Sequence, residues 1–76
     1  MWRLGTVTRI AGGVLVVRAD EDRIPEIGAD TVDDQLRTVG PVVDVFGPID
    51  RPYFAVSPAD DTHLPELLGD PLYVRG

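Results

Sequence analysis

His63, the only histidine of the 76 residues, lies in Asp60-Asp61-Thr62-His63-Leu64, and a histidine among acids is where a general base would be sought. A base needs a nucleophile to deprotonate and a third group to orient it, and the segment supplies neither. A solvated loop histidine is the reading that remains. Asp20-Glu21-Asp22 has the oxygens of a metal site. However, a calcium loop needs alternating ligands, a central glycine and a distant bidentate glutamate, and that spacing is missing, so an acidic loop facing water is expected. Gly12-Gly13 is not followed by the lysine or the helix that a phosphate-binding loop requires, and it reads as a hairpin turn. Asp44 stands among valines, where a carboxylate could be catalytic. No second acid or base accompanies it in its strand, so a water-facing strand position or a cap on nearby amides is expected, with Arg51 a possible ion-pair partner for Asp44 or Asp50. No catalytic residue, metal ligand, cofactor or small-molecule substrate is expected.

The elements that position these residues are strands. Arg3–Ile10 is rich in Thr, Val and Ile, and after Ala11-Gly12-Gly13 the run Val14–Val17 resumes, which makes a hairpin. Leu15 and Val17 point one way, Val14, Val16 and Arg18 the other, and the unbroken apolar run implies cover on most of both faces. From Ala19 to Asp30 the composition turns to charge, proline and glycine, a loop that Ile24 and Ile27 would anchor by tucking inward. Thr31–Asp33 is a short strand and Asp34–Arg37 a connection. Val39–Phe46 and Tyr53–Val56 form a second hairpin around the turn formers Gly47-Pro48-Ile49-Asp50-Arg51-Pro52. Pro58–Pro65 is an exposed connection, and Leu67-Leu68-Gly69-Asp70-Pro71 leads into a last strand, Leu72–Arg75, with Pro71 suited to a strand start. Six short strands and no evident helix predict an all-β fold, a small six-stranded closed or partly open β-barrel of the translation-factor/reductase-like type. It would occupy residues 1–76 as one domain.

Strand parity then divides the central hairpin. Val39, Val43 and Val45 share one face of the first strand, and Gly40, Val42, Asp44 and Phe46 the other, which carries a charge and so meets water. In the second strand Phe54 and Val56 are assigned to the core with Val39 and Val43. Val42, Phe46, Tyr53, Pro48, Ile49 and Pro52 are left outside, more apolar surface than a small soluble domain needs, and a protein partner is the usual reason for such a patch. The candidate partner-binding surface is therefore Val45, Phe46, Gly47, Pro48, Ile49, Pro52 and Tyr53, with Val42 at its margin. Phe46 has two readings, core aromatic or anchor in a partner's pocket, because a register slip of one residue exchanges them. Tyr53 faces outward.

Composition narrows the function. There are no cysteines for disulfides or thiolate metal sites, and no apolar run approaches the roughly 20 residues that cross a bilayer. With no signal-peptide apolar region after Met1, a cytoplasmic setting is expected and a membrane partner is not. A net charge of −6 argues against a stand-alone nucleic-acid binder, so RNA would be reached only through another protein. All seven basic residues are arginine, and most of the 13 acids are aspartate, a balance expected of a halophilic source or of GC-rich codon usage. A core this small supplies about 3–5 kcal/mol, which a lasting partner would supplement.

The pattern V-G-x-V-x-D-V-F-G-P-x-x-x-P-Y, from Val39 to Tyr53, resembles the core of the glycine-arginine-rich-protein family of box H/ACA ribonucleoproteins in its short archaeal form. Arg3-Leu4-Gly5-Thr6-Val7, Val32-Asp33 and Leu72-Tyr73-Val74 extend the resemblance over nearly the whole chain. It implies a non-catalytic accessory subunit that docks on the catalytic domain of a dyskerin-like pseudouridine synthase. There it would act on a mobile loop over the active site to help substrate loading and product release, with guide and substrate RNA reached only indirectly. The glycine-arginine-rich tails that name the family do not occur in these residues, so RNA contacts made by such tails are not expected of them. A contrasting reading is a translation-factor-like barrel module acting alone on RNA or on a nucleotide-dependent protein. It would show as a basic stripe with interleaved aromatics, whereas the arginines are scattered along the sequence.

Overall fold

Six antiparallel strands close on themselves in the computed structural model, which describes residues 1–59 and 64–75. They are β1 (Trp2–Ala11), β2 (Val14–Ala19), β3 (Asp30–Val32), β4 (Thr38–Phe46), β5 (Tyr53–Val56) and β6 (Pro71–Val74). The order around the closed barrel is β1-β2-β5-β4-β3-β6, so among the described residues every strand is hydrogen-bonded to a neighbour on both sides. All six strands lie where the sequence places them, and Pro71 does begin the last one. The Gly12-Gly13 turn is present, with φ of 60° and 79°. His63 and its acidic neighbours lie outside the described residues. A single turn of 3-10 helix, Leu64–Leu67, departs from the helix-free reading of the sequence. One turn is too short to show a helical period, yet it seats Leu67 in the core at 6% exposure.

The core takes one face of each strand, with Leu4, Val7, Leu15, Val17, Phe54, Val56 and Leu72 almost wholly buried. Strict alternation fails at the bulges. In β4 the register jumps from Val42, opposite Val56, to Asp44, opposite Ala55, leaving Val43 unpaired. The extra residue reverses the parity of what precedes it. Val42 is therefore in the core at 0% exposure, and Val43 is outside at 45%, the reverse of the sequence assignment. A second irregularity, where Thr31 pairs with Gly40 and Val32 with Thr38, lets Val39 point inward as well. Gly40 sits at this kink with φ of 154°, and a Cβ there would overlap the carbonyl of Ser57, so the β4 to β5 approach depends on glycine.

The loop between β2 and β3 is anchored differently from the sequence expectation. Ile24 and Ile27 are 55% and 62% exposed, and neither tucks inward. Backbone bonds do the work instead: the Gly28 amide donates to Val42 O at 2.7 Å and the Val42 amide to Ala29 O at 2.9 Å. Pro25 is buried, and the Arg23 guanidinium lies 4.2 Å from the centre of the Trp2 ring. Asp20 accepts from Arg3 Nε at 2.8 Å and from Thr6 Oγ1 at 3.2 Å, which ties the acidic run to β1.

The connection from β3 to β4 is built around Asp33, whose side chain is 6% exposed. Its Oδ1 accepts from the amides of Gln35 and Arg37, both at 2.9 Å, and its Oδ2 accepts from Arg37 Nε at 2.8 Å. Burial alone would raise its pKa. The amide bonds from Arg37 and Gln35, with the Arg37 guanidinium, outweigh burial and hold the carboxyl below its ordinary 3.8. A depressed folded value means that this stability is fully present above the ordinary carboxyl value and is lost as pH falls through the lower, folded one. Asp33→Asn keeps one accepting oxygen but loses the charge, and is expected to cost about 1.5–3 kcal/mol in neutral buffer, the range for hydrogen bonds to a charged group. In urea unfolding the gap between Asp33→Asn and wild type should shrink as the buffer is acidified. A gap that is constant with pH would show that the carboxylate charge is not what holds the loop.

Candidate docking surface

The outer end of the β4–β5 hairpin is where the sequence-predicted surface residues gather. Phe46 pairs with Tyr53 across the two strands, and their rings stack with centroids 5.8 Å apart and planes 21° from parallel. Phe46 is 42% exposed, which places it outside the core. Tyr53 is half-buried and shares that outer face. Between them the loop turns tightly, and the Arg51 amide reaches Pro48 O at 3.3 Å. Gly47 opens the turn with φ of 89°, and a Cβ there would stand 2.9 Å from Tyr53 Cδ2. Glycine therefore allows both the turn and the seating of the tyrosine ring against it. Ile49 projects from the tip, 97% exposed, and adds a further apolar side chain to this end of the hairpin.

Not every predicted member belongs to this surface. Phe46, Gly47, Pro48 and Ile49 are exposed, and Tyr53 is half-buried beside them. Val45 is half-buried and packs against the core, so it supports the hairpin from beneath. Val42 is inside the barrel, for the reason given by the bulge at Val43, and cannot touch a partner. Pro52 is also buried: its carbonyl accepts from the Ala19 amide at 3.0 Å, which draws the end of the loop onto β2. Asp44 is exposed and its Oδ1 accepts from the Val45 amide at 2.8 Å. Among the described residues Arg51 forms no ion pair with Asp44 or with Asp50. Also among the described residues, no group of three or more acids or histidines converges to hold a metal ion.

Several residues that complete the surface come from elsewhere in the chain. β5 is flanked by β2 as well as β4, so Tyr53 pairs with Arg18 and Ala55 with Val16. Together with β1 these strands form a groove of about 280 Å³ lined by Thr8, Arg9, Val16, Phe46 and Tyr53. Its volume falls just under the range of about 300–1,000 Å³ typical of small-molecule pockets, and it suits one or two side chains. Sequence parity did not find Thr8, Arg9 or Val16, because nothing local states which strand lies beside β5.

The comparisons with known proteins agree with this architecture. Over residues 1–76 the chain matches the family model described as the Gar1/Naf1 RNA binding region. A solved structure described as that of the Gar1 domain of NAf1 superimposes with a TM-score of 0.74 at 15% identity, covering 97% of this chain and 85% of that one. At that identity the likeness is one of fold. A search of curated protein sequences finds none that matches. A match over the full length, on a closed barrel of the same fold, places the chain in the Gar1/Naf1 family.

Proposed function

We propose that this chain is a non-catalytic accessory subunit of a box H/ACA ribonucleoprotein. Its outer hairpin end docks on the pseudouridine synthase catalytic subunit and promotes substrate loading and product turnover. The observation that carries this reading is the stacked Phe46–Tyr53 pair at the same hairpin end as the fully exposed Ile49, apolar side chains gathered on a chain of net charge −6. Aromatic anchors of this kind dominate protein interfaces. The tight Gly47-Pro48 turn and the β4–β5 ladder hold them in place before binding, so little conformational entropy is lost on docking.

Guide and substrate RNA are reached through the synthase, a division that a net charge of −6 favours. The matched family model is described as an RNA binding region, and direct RNA binding is the competing reading that this description supports. Multiple-turnover pseudouridine formation by the assembled particle, with and without this chain, separates a role in the particle from none. Addition of the chain is expected to raise the steady-state rate while leaving a single turnover with preloaded substrate nearly unchanged. A steady-state rate that does not respond would rule out the accessory role.

A further inference from the structure

The bulge in β1 has a consequence for charge. Val7 pairs with Val17 and Arg9 with Val16, which leaves Thr8 as the extra residue. Strict alternation would turn Arg9 toward the core with Val7. The bulge instead leaves Thr8 and Arg9 both exposed and returns Ile10 to pack against the core. Thr8 Oγ1 donates to Val16 O at 3.2 Å and so holds the irregular segment against β2. Arg9 thereby joins Phe46 and Tyr53 in the wall of the groove, with Val16, 6% exposed, among its lining. On the adjoining row Arg18, Tyr53 and Phe46 run side by side across three strands.

The arginines divide into two groups. Arg3 is bound to Asp20 and Arg37 to Asp33, Arg23 covers Trp2, and Arg75 donates to Thr38. Among the described residues the other three, Arg9, Arg18 and Arg51, form no ion pair; Arg9 and Arg18 stand on the aromatic face, and Arg51 lies in the loop that joins β4 to β5. Asp44, at the far end of the row that holds Val16 and Ala55, bonds the Val45 amide and not an arginine. A chain with 13 acidic and 7 basic side chains thus presents, among the described residues, two cations without an ion pair beside its stacked aromatic pair. A guanidinium that stands between an aromatic wall and an apolar floor favours a carboxylate, which it can bind through two parallel hydrogen bonds.

We propose that this groove seats an acidic side chain of the docked protein. Arg9 holds the carboxylate, Arg18 reinforces it from the neighbouring row, and an adjoining apolar residue of the partner packs on Val16, Phe46 and Tyr53. The inference rests on the docking reading above and specifies the chemistry that the surface selects. A single carboxylate fits better than a nucleic-acid strand. Phe46 and Tyr53 already stack on each other, which uses one face of each ring, and a net charge of −6 opposes the approach of a run of phosphates.

The test uses the intact synthase subunit as probe and titrates wild type, Phe46→Ala, Arg9→Glu and Arg9→Gln at several salt concentrations. Arg9→Glu is expected to weaken binding by about tenfold or more and Arg9→Gln by less, with wild-type affinity falling as salt rises. Reversal to arginine of one acidic residue on the synthase should restore binding of Arg9→Glu. Unfolding midpoints of the exposed Arg9 variants should match wild type, and if Arg9→Glu misfolds, Arg9→Gln decides. Loss with Phe46→Ala alone overturns the acidic occupant and leaves the docking surface standing, whereas wild-type binding by all variants removes both. Arg9 variants that bind the synthase normally but lose affinity for a single-stranded RNA oligonucleotide would assign the groove to RNA and overturn the proposal.

Discussion

Phe54→Ala is expected to leave the isolated barrel largely unfolded at room temperature. Phe54 is the largest fully buried side chain among the described residues, at 0% exposure, and it sits in the middle of the closed sheet, paired with Val17 of β2 on one side and Val45 of β4 on the other. Truncation removes the aromatic ring and leaves a cavity that a closed, fully hydrogen-bonded barrel cannot collapse to fill, at a cost of about 3–5 kcal/mol. The packing of so small a core supplies about the same amount, so no margin is left. Urea unfolding monitored by circular dichroism checks this. Phe54→Leu, which keeps most of the volume, should remain folded with a lowered midpoint. If the synthase binds only the folded barrel, adding it should recover part of the Phe54→Ala population by mass action. A Phe54→Ala barrel with a wild-type midpoint would mean that the core is organised around other residues.

Phe46→Ala is expected to do the opposite, costing binding and sparing the fold. Its ring is 42% exposed, so its removal changes little in the free barrel, while an interface anchor of this type is worth about 1–3 kcal/mol, or roughly five- to 150-fold in affinity. Tyr53→Ala differs in kind. Tyr53 is half-buried, paired with Arg18 and Phe46, and packed against Gly47, so its truncation should lower both binding and stability. Because the two rings stack, the double variant should lose less than the sum of the single losses, a coupling that a double-mutant cycle reads directly.

The strands and their order along the chain were legible in the sequence because Gly-Pro turns and β-branched runs are local signals. The family resemblance carried by Val39 to Tyr53 was legible for the same reason. Side-chain direction was legible where no bulge intervened, and at Val39, where two irregularities of β4 restore the alternation. Phe54 and Val56 were assigned correctly, while Val42 and Val43 exchanged places because one unpaired residue in β4 inverts the alternation. Pro52 looked like a loop residue and is buried, since the bond from the Ala19 amide is made by a strand distant in sequence. The outward turn of Arg9 follows from a bulge against β2, and its meeting with Phe46 and Tyr53 from the pairing of β2 with β5. Both are tertiary facts that periodicity does not encode. Asp33 showed only as a residue beside the motif, and its role as the buried carboxylate that closes an exposed loop needed the positions of Gln35 and Arg37.

Calorimetric titration of the intact synthase subunit with wild type and with the Phe46→Ala/Tyr53→Ala double variant, refolding checked for each, measures the central claim most directly. The docking account predicts at least about tenfold weaker binding by the double variant, with the surviving fraction of folded barrel accounted for by its unfolding curve. Equal affinity of the two folded proteins would contradict it and place the interface on another face of the barrel.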